Sequence, residues 1–337
     1  MSRGEGSTES ELGFVKLVEP HRKSVRLHCY RMLGSAHDCE DMVQETFVRA
    51  LRSLHTLSEP AAVRGWLYRI ATNVCLDELQ KRAPRVRGPE LGPPSRPEAT
   101  SPAPLSDEAW LEPMPSVWLT GADPAAHYSL KESVALAFVA ALQVLTPAQR
   151  AVLLLRDVVG LSAEETARSL ACSVSAANSM LHRARVTLEE RVGARSGWST
   201  EPGAAVDRAL LERYMRAWES GDLDTIVALL HEDVTLSMPP IPRWLAGSAD
   251  VGLFFRTHVH GSLRLRPFRT AFVEANGALG VAFYRAREDG RAHFFAIQVF
   301  ELSGARIRAI DHFMSKSSLL VFVAEGQATT ITLAGAG

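Results

Sequence analysis

The sequence predicts a multidomain chain of two all-α helical modules followed by an α+β domain, and three observations carry that assignment. Apolar residues recur at helical spacing in two separate stretches, ten of the 18 prolines crowd between Pro84 and Pro124, and beyond residue 204 helical spacing gives way to alternation. A chain of 337 residues also exceeds what a single core usually organises.

The first module spans 9–83. Val43, Phe47, Leu51 and Leu54, then Trp66, Ile70, Val74 and Leu79, mark apolar helix faces, and Gly34-Ser35 and Ser58-Glu59-Pro60 break the helices apart. The stretch 84–128 is so poor in backbone donors that it reads as a linker. The second module, 129–193, is divided at Thr146-Pro147, Gly160-Leu161-Ser162 and Cys172-Ser173 into four short helices. After a Gly/Ser/Thr-rich connection, the third domain, 204–325, opens with helices over 205–220 and 223–230. Gly221 should stop the first, Asp222 cap the second and Asp233 end it. Alternating runs at 234–238, 280–285 and 293–300 predict strands.

Composition bounds the chemistry. With 46% hydrophobic and 22% charged residues there is apolar surface enough for several small cores, so wholesale disorder is excluded. Neither a membrane-length apolar run nor a secretory leader is recognisable, which predicts a cytoplasmic protein without a membrane partner. Cys29, Cys39, Cys75 and Cys172 have no paired framework and are expected as free thiols. The net charge of -1 means that any polyanion must be met by a local patch. Basic residues gather at Arg64, Arg69, Lys81, Arg82, Arg85 and Arg87, just after acidic Asp38, Glu40, Asp41 and Glu45, which suggests two different partners.

Three segments look functional. Asp38, Asp41 and Glu45 share one helix face. With no histidine or nucleophile placed beside them, they read as a protein-docking stripe rather than a catalytic or metal site. The segment Arg64 to Arg82 interleaves aromatics and cations, a mixture suited to single-stranded DNA, whereas Trp66 fits the core equally by its register with Ile70. From Leu161 to Arg185, a capping box at Ser162 and Glu165, a break at Ala171-Cys172-Ser173 and a cap at Ser173 have the spacing of a helix-turn-helix. Its second helix would present Ser175, Asn178, Ser179, His182, Arg183 and Arg185 to a major groove. A plain helical hairpin with a solvated face is the alternative. Ala171 stands where glycine is common because the turn needs a positive φ.

Four blocks together resemble regions two and four of extracytoplasmic-function sigma factors, the promoter-reading subunits of bacterial RNA polymerase. They are Asp-x-Glu-Asp-x-Val-Gln-Glu-Thr-Phe at Asp38 to Phe47, Trp-Leu-Tyr-Arg-Ile-Ala-x-Asn at Trp66 to Asn73, Leu-x-Pro-x-Gln-Arg at Leu145 to Arg150, and Leu-His-Arg-Ala-Arg at Leu181 to Arg185. The resemblance implies that Asp38, Glu40, Asp41, Gln44 and Glu45 dock on the clamp helices of the β′ subunit of core polymerase, and that the second module meets the β flap. It implies that the loop His55 to Ala62, with Arg64, Trp66, Arg69, Asn73, Lys81 and Arg82, opens the minus-ten element of promoter DNA. The second module would read the minus-thirty-five element, and the linker would thread toward the RNA exit path. Asn178 and Met180 depart from the cationic recognition helices of many members, so promoter sequence does not transfer.

Tyr214 to Asp224 and Leu229 to Val234 resemble the opening of SnoaL-like domains of the NTF2-like superfamily, and Trp110-Leu111-Glu112-Pro113 is similar to a linker motif of sigma factors that carry one. The implied fold is a curved sheet around helices with a cone-shaped cavity able to take a small apolar ligand, and the implied role is regulation. Relatives of the fold include isomerases and cyclases, which makes Asp311-His312 and His258-x-His260 the residues to weigh for catalysis or metal binding. Neighbours on a strand face opposite ways, so Asp311 and His312 do not form a pair, and the two histidines lack a third ligand. No cofactor, metal or enzymatic activity is expected. A ligand-sensing helix-turn-helix regulator that acts without polymerase is the alternative class.

Overall fold

The computed structural model describes residues 13–120, 133–193, 204–259 and 268–332. The chain divides into two compact units, Met1–Pro84 with Ala137–Ala194, and Arg85–Leu136 with Arg195–Gly337.

The first unit is helical. Its N-terminal part packs α1 (Arg22–Leu33), α2 (Ala36–Arg52) and α3 (Val63–Leu79) against one another. The breaks fall where the sequence places them. Gly34, at φ 67°, ends α1 with its N–H on the Tyr30 carbonyl at 2.8 Å, and the Ser35 hydroxyl caps α2 by accepting from the Asp38 N–H at 3.1 Å. Val25, Met32, Val43, Leu67, Ile70 and Val74 are buried, as are the free thiols Cys29, Cys39 and Cys75; Cys172 is a half-buried free thiol. Leu51 departs from the expected apolar stripe. One turn beyond buried Phe47, at the end of α2, it is 47% exposed.

The C-terminal part of this unit holds α4 (Leu136–Gln143), α5 (Pro147–Leu153) with a π-turn over Leu154–Val158, α6 (Ala163–Ser169) and α7 (Val174–Gly193). Thr146 with Gln149 and Ser162 with Glu165 form reciprocal capping boxes, and the Ser173 hydroxyl accepts from the Ala176 N–H at 3.1 Å. Ala171 has φ 49°, in the left-handed region anticipated for this turn.

The second unit is α+β. Helices α8 (Ala204–Ser220), α9 (Leu223–Ala228) and α10 (Ser248–Phe254) accompany a seven-stranded sheet. Its strands are β1 (Leu230–Met238), β2 (Ile241–Ala246), β3 (Phe268–Ala275), β4 (Ala278–Ala286), β5 (Arg291–Ser303), β6 (Arg306–Phe313) and β7 (Thr330–Thr332); α11 (Lys316–Ala324) follows β6. The order is β2-β1-β6-β5-β4-β3 with β7 on β5, and β1 runs parallel to β6 while the other pairs are antiparallel. Gly221 (φ 72°) and Asp222, whose carboxylate accepts from the Thr225 N–H at 3.0 Å, act as expected between α8 and α9. Asp233 does not end α9: that helix stops at Ala228, and Asp233 lies within β1. The inner face of the sheet meets α8 through Trp218, whose ring takes edge-to-face contacts from Phe255, Phe268 and Phe283 at 5.2–6.0 Å.

The proline-rich stretch belongs to this second unit rather than to a free linker. It does lack long helices and strands, but residues 85–119 cover the sheet with Trp110, Leu111, Met114, Trp118 and Leu119 buried. Backbone N–H groups along it find acceptors without forming a ladder: Ser95 donates to the Trp244 carbonyl on β2 at 2.8 Å and Leu105 to the Pro240 carbonyl at 2.9 Å. Met114 and Asn276 exchange two further bonds. Proline removed the ladder but not the apolar payload.

Two stability effects follow. Ala171→Gly is expected to stabilise the first unit by about 0.5–1 kcal/mol, because the left-handed cost of alanine exceeds glycine's extra unfolded-state entropy. A higher urea midpoint at unchanged slope would show it. His28 is buried against Thr72, 2.9 Å away, and desolvation, with Arg31 adding to it, lowers its pKa to about 3. A depressed histidine favours the fold fully above its unfolded value of 6.5, and that contribution is lost as pH falls toward 3. Urea stability should therefore decline between these limits by up to about 1.4 kcal/mol per pH unit from this residue, and His28→Gln should flatten the profile.

Candidate protein- and nucleic-acid-binding surfaces

Helix α2 sorts its acidic residues into two classes. Asp38 is held by Arg82, which also pairs with Glu78 at 3.0 Å; Glu40 pairs with Arg26 at 2.7 Å; and Glu45 pairs with Arg49, which reaches on to Asp77, both at 2.7 Å. These carboxylates brace α2 against its neighbours and itself. Asp41 and Gln44 stand exposed, and the same outward face continues through Val48, 41% exposed, to Leu51. A surface that is polar at one end and apolar at the other is a protein-docking face in chemistry. Val48 escaped the sequence reading because the apolar period through Val43 and Phe47 accounts only for the buried side.

Helix α3 likewise divides. Trp66 is buried, and its ring N–H donates to the Thr56 hydroxyl at 3.0 Å, fastening the base of the exposed loop that precedes α3. Asn73 is exposed and half-buried Arg69 lies one turn earlier on the same face. Lys81 pairs with Glu78 at 3.0 Å on the surface. Arg64 donates to the Val159 carbonyl at 2.5 Å and lies over the Tyr68 ring. The basic gathering seen in the sequence is not one patch: Arg85 and Arg87 fold into the second unit, the former donating to the Trp110 carbonyl at 2.5 Å.

On α7, Ala177, Leu181 and Ala184 are buried, leaving Ser175, Asn178, Ser179, His182 and Arg183 exposed along the opposite side, where with Val174 they line one open depression. Arg185 is exposed but oriented by a two-pronged ion pair with Asp157, at 2.6 and 3.0 Å. The polar side of this helix therefore presents hydrogen-bonding groups at i, i+3, i+4 and i+7, as a groove-reading helix must. Half-buried Met180 lies off that line.

The two helical parts of the unit are joined through an arginine that sequence reasoning registered only as part of a motif. Arg150 is buried on α5, and its terminal nitrogens donate to the Met32 carbonyl at the end of α1, the Gln143 side chain at 2.6 Å, and the carbonyls of Gln143 and Leu145 at 3.3 Å. Desolvation lowers its pKa to about 10, which leaves it charged at neutral pH. In the same unit Tyr68 packs with Leu155, Val159 and Leu161.

In the second unit Asp311 and His312 point to opposite faces of β6. Asp311 accepts from Arg87 at 2.6 and 3.0 Å and from Ser237 at 2.5 Å, on the outer face. Inside, His312 contacts Gln298 at 2.9 Å, which accepts from the Tyr214 hydroxyl at 2.9 Å. Burial, with Arg285 adding to it, lowers the His312 pKa to about 4. His258 lies in the helical turn Phe255–Val259, stacked on Phe254 at 4.9 Å, not on a strand, and His260 lies outside the described residues. Among the described residues no group of histidine, cysteine or carboxylate side chains is placed to hold a metal, and no helix is long and apolar enough to cross a membrane.

Comparison with known proteins gives the family. Residues 17–85 match the family model for Sigma-70 region 2, 135–188 that for Sigma-70 region 4, and 211–310 that for the SnoaL-like domain. The chain is 37% identical over 315 residues to the ECF RNA polymerase sigma factor SigG of Mycobacterium tuberculosis, covering 92% of this chain and 83% of that protein. It belongs to the ECF RNA polymerase sigma factors. A second relative, the probable sigma factor SigI of the same species, is 30% identical over 64% of this chain and 66% of that protein. The crystal structure of Mycobacterium tuberculosis SigJ shares the fold, with a TM-score of 0.59 at 23% identity over 91% of this chain and 98% of that one. The sigma factor's region 2 is thus the α1–α3 bundle, and α7 is the second helix of its region 4 helix-turn-helix.

Arg150→Ala in this sigma factor should cost about 3 kcal/mol, since four buried acceptors lose their donor at once. Thermal unfolding would register the loss. A similar loss in Arg150→Lys would identify the planar fork, rather than the charge alone, as the requirement.

Proposed function

We propose that the exposed face of α2, centred on Asp41 and Gln44 and extended by Val48 and Leu51, docks on the clamp helices of the polymerase β′ subunit. The observation that carries this reading is the division of labour on α2: Asp38, Glu40 and Glu45 are committed to ion pairs within the unit, while Asp41 and Gln44 face solvent beside exposed apolar surface. Docked there, the protein directs core polymerase to promoters in the cytoplasm. Region 2 opens and holds the minus-ten element through the loop fastened by Trp66 and through Arg69, Asn73 and Lys81. Region 4 meets the β flap and reads the minus-thirty-five element through Ser175, Asn178, Ser179, His182 and Arg183, with Arg185 as a phosphate contact steered by Asp157.

Arg64 and Tyr68 are engaged by the region 4 helices in this form of the molecule. Their use on promoter DNA requires those helices to move away. Region 4 is short of cations on its reading face, so its contribution to affinity is small and its selectivity rests on hydrogen bonds.

We read the C-terminal domain as regulatory and non-catalytic. Asp311 is neutralised by Arg87 on one face of β6, and His312 on the other is held by Gln298, so the pair offers no joined acid and base. The rings of Phe283 and Phe295 lie beside His312, each 6.0 Å from it between centroids, so the inner face there is aromatic.

The docking proposal is tested with Asp41→Lys and Gln44→Ala together, in the full chain. Affinity for core polymerase should fall about tenfold, equivalent to 1.4 kcal/mol, with unchanged thermal unfolding and lost run-off transcription. Unaltered binding would remove α2 from the interface, and promoter-duplex binding that needs no polymerase would favour an ordinary operator-binding regulator.

A further inference from the structure

The first two turns of α7 differ in chemistry from the rest of the helix. Val174, Ser175, Asn178 and Ser179 are exposed there, and none of them is a cation; His182, Arg183 and Arg185 follow only from the third turn on. On the recognition helix of a helix-turn-helix the N-terminal residues are the ones that contact base edges. The choice of base therefore falls to an apolar side chain, two hydroxyls and one carboxamide. Guanine is the base this set serves worst, since its O6 and N7 both accept and are matched by the paired donors of arginine or lysine.

Val174 stands 38% exposed at the first position of the helix, one residue after the Ser173 cap. A valine in a helix has one strongly preferred rotamer, so its methyl surface is presented in a fixed direction. A lone exposed valine is ordinary on a protein surface, but this one lines the same open depression as Asn178 and His182, four and eight residues on, along one row of the helix. Asn178 is exposed, and its amide is uncommitted among the described residues. A carboxamide offers a donor and an acceptor side by side, the complement of the adenine N7 acceptor and N6 donor in the major groove. On guanine the same amide would set its oxygen against O6. An apolar group in that groove finds one apolar feature, the C5 methyl of thymine. Four residues of helix rise about 6 Å and successive base pairs about 3.4 Å, so Val174 and Asn178 address base pairs one or two steps apart. Ser175 and Ser179 bond either kind of base and leave the choice to these two.

We propose that Val174 and Asn178 form a two-base reading pair: Asn178 grips an adenine through N7 and N6, and Val174 packs on the methyl of a thymine one or two base pairs away. This rests on the reading of α7 as the helix that enters the major groove, and it adds the identity of the bases.

The test uses the full chain bound to core polymerase and a pool of duplexes randomised over the minus-ten and minus-thirty-five windows. In the upstream window, the sequences retained by wild type should carry an adenine and a thymine one or two base pairs apart. Replacing that thymine by deoxyuridine, which lacks only the methyl, should weaken wild-type binding about fourfold, the effect of one methyl group left in water. Val174→Ala should bind the thymine duplex more weakly by a similar factor and be indifferent to the replacement. Asn178→Asp keeps the shape of the side chain but removes its donor. Preference for adenine should fall about tenfold, and cytosine, which offers an N4 donor, should gain. Both side chains are exposed, so neither variant threatens the fold. Retention of the same sequences by Asn178→Asp and wild type overturns the proposal, as does equal wild-type binding of thymine and deoxyuridine duplexes, or a guanine at the position that Asn178→Asp alters. If wild type retains no upstream sequence while Arg183→Ala weakens binding to the whole pool, α7 lies on the duplex without reading it, and the proposal alone fails. If wild type retains no upstream sequence and Arg183→Ala binds as wild type does, α7 does not enter a groove, and the groove-binding reading fails with the proposal.

Discussion

A guanidinium taken out of water must find acceptors for a planar fan of N–H groups, and each unit of this sigma factor is joined internally by meeting that demand. In the helical unit Arg150 gathers carbonyls from the end of α1 and from the α4–α5 connection, so regions 2 and 4 share a buried polar joint. In the α+β unit Arg87 gathers Asp311 and Glu301, so the proline-rich segment shares one with the sheet. Desolvation makes each joint specific: the arginine is tolerable only where its acceptors are, and any other docking of the same surfaces strands a charge.

That constraint explains which parts of the architecture the sequence reveals. Helix breaks at Gly34, Ser162 and Ser173, the cap at Asp222 and the strands β1, β4 and β5 follow from local rules, because glycine, hydroxyl and carboxylate caps and alternating apolar residues act within a few positions of themselves. The left-handed Ala171 was legible for the same reason. Nothing local announces that Arg87 answers Asp311, which lies 224 residues on. Proline scarcity of N–H groups predicts irregular backbone, and the backbone is irregular. It does not predict solvent exposure, and Trp110, Met114 and Trp118 decide that question the other way.

The interaction surfaces show the same division. The outward residues of α7 were readable from periodicity, since burying Ala177, Leu181 and Ala184 forces Ser175, Asn178, Ser179 and His182 to the opposite side. On α2 periodicity marked one acidic helix face but pooled carboxylates with different surroundings. Asp38 and Glu40 look like Asp41 in sequence, and only the positions of Arg82 and Arg26 across the bundle separate bracing residues from those left facing water. Trp66 is a related case: an aromatic among cations reads as a base-stacking group, yet it is buried and its ring N–H is spent on Thr56.

The balance of charge then acquires a physical meaning. A protein with net charge -1 and few free cations on α7 gains little from phosphate neutralisation alone. On the function proposed above, docking on core polymerase presents α7 to the promoter and offsets that shortage.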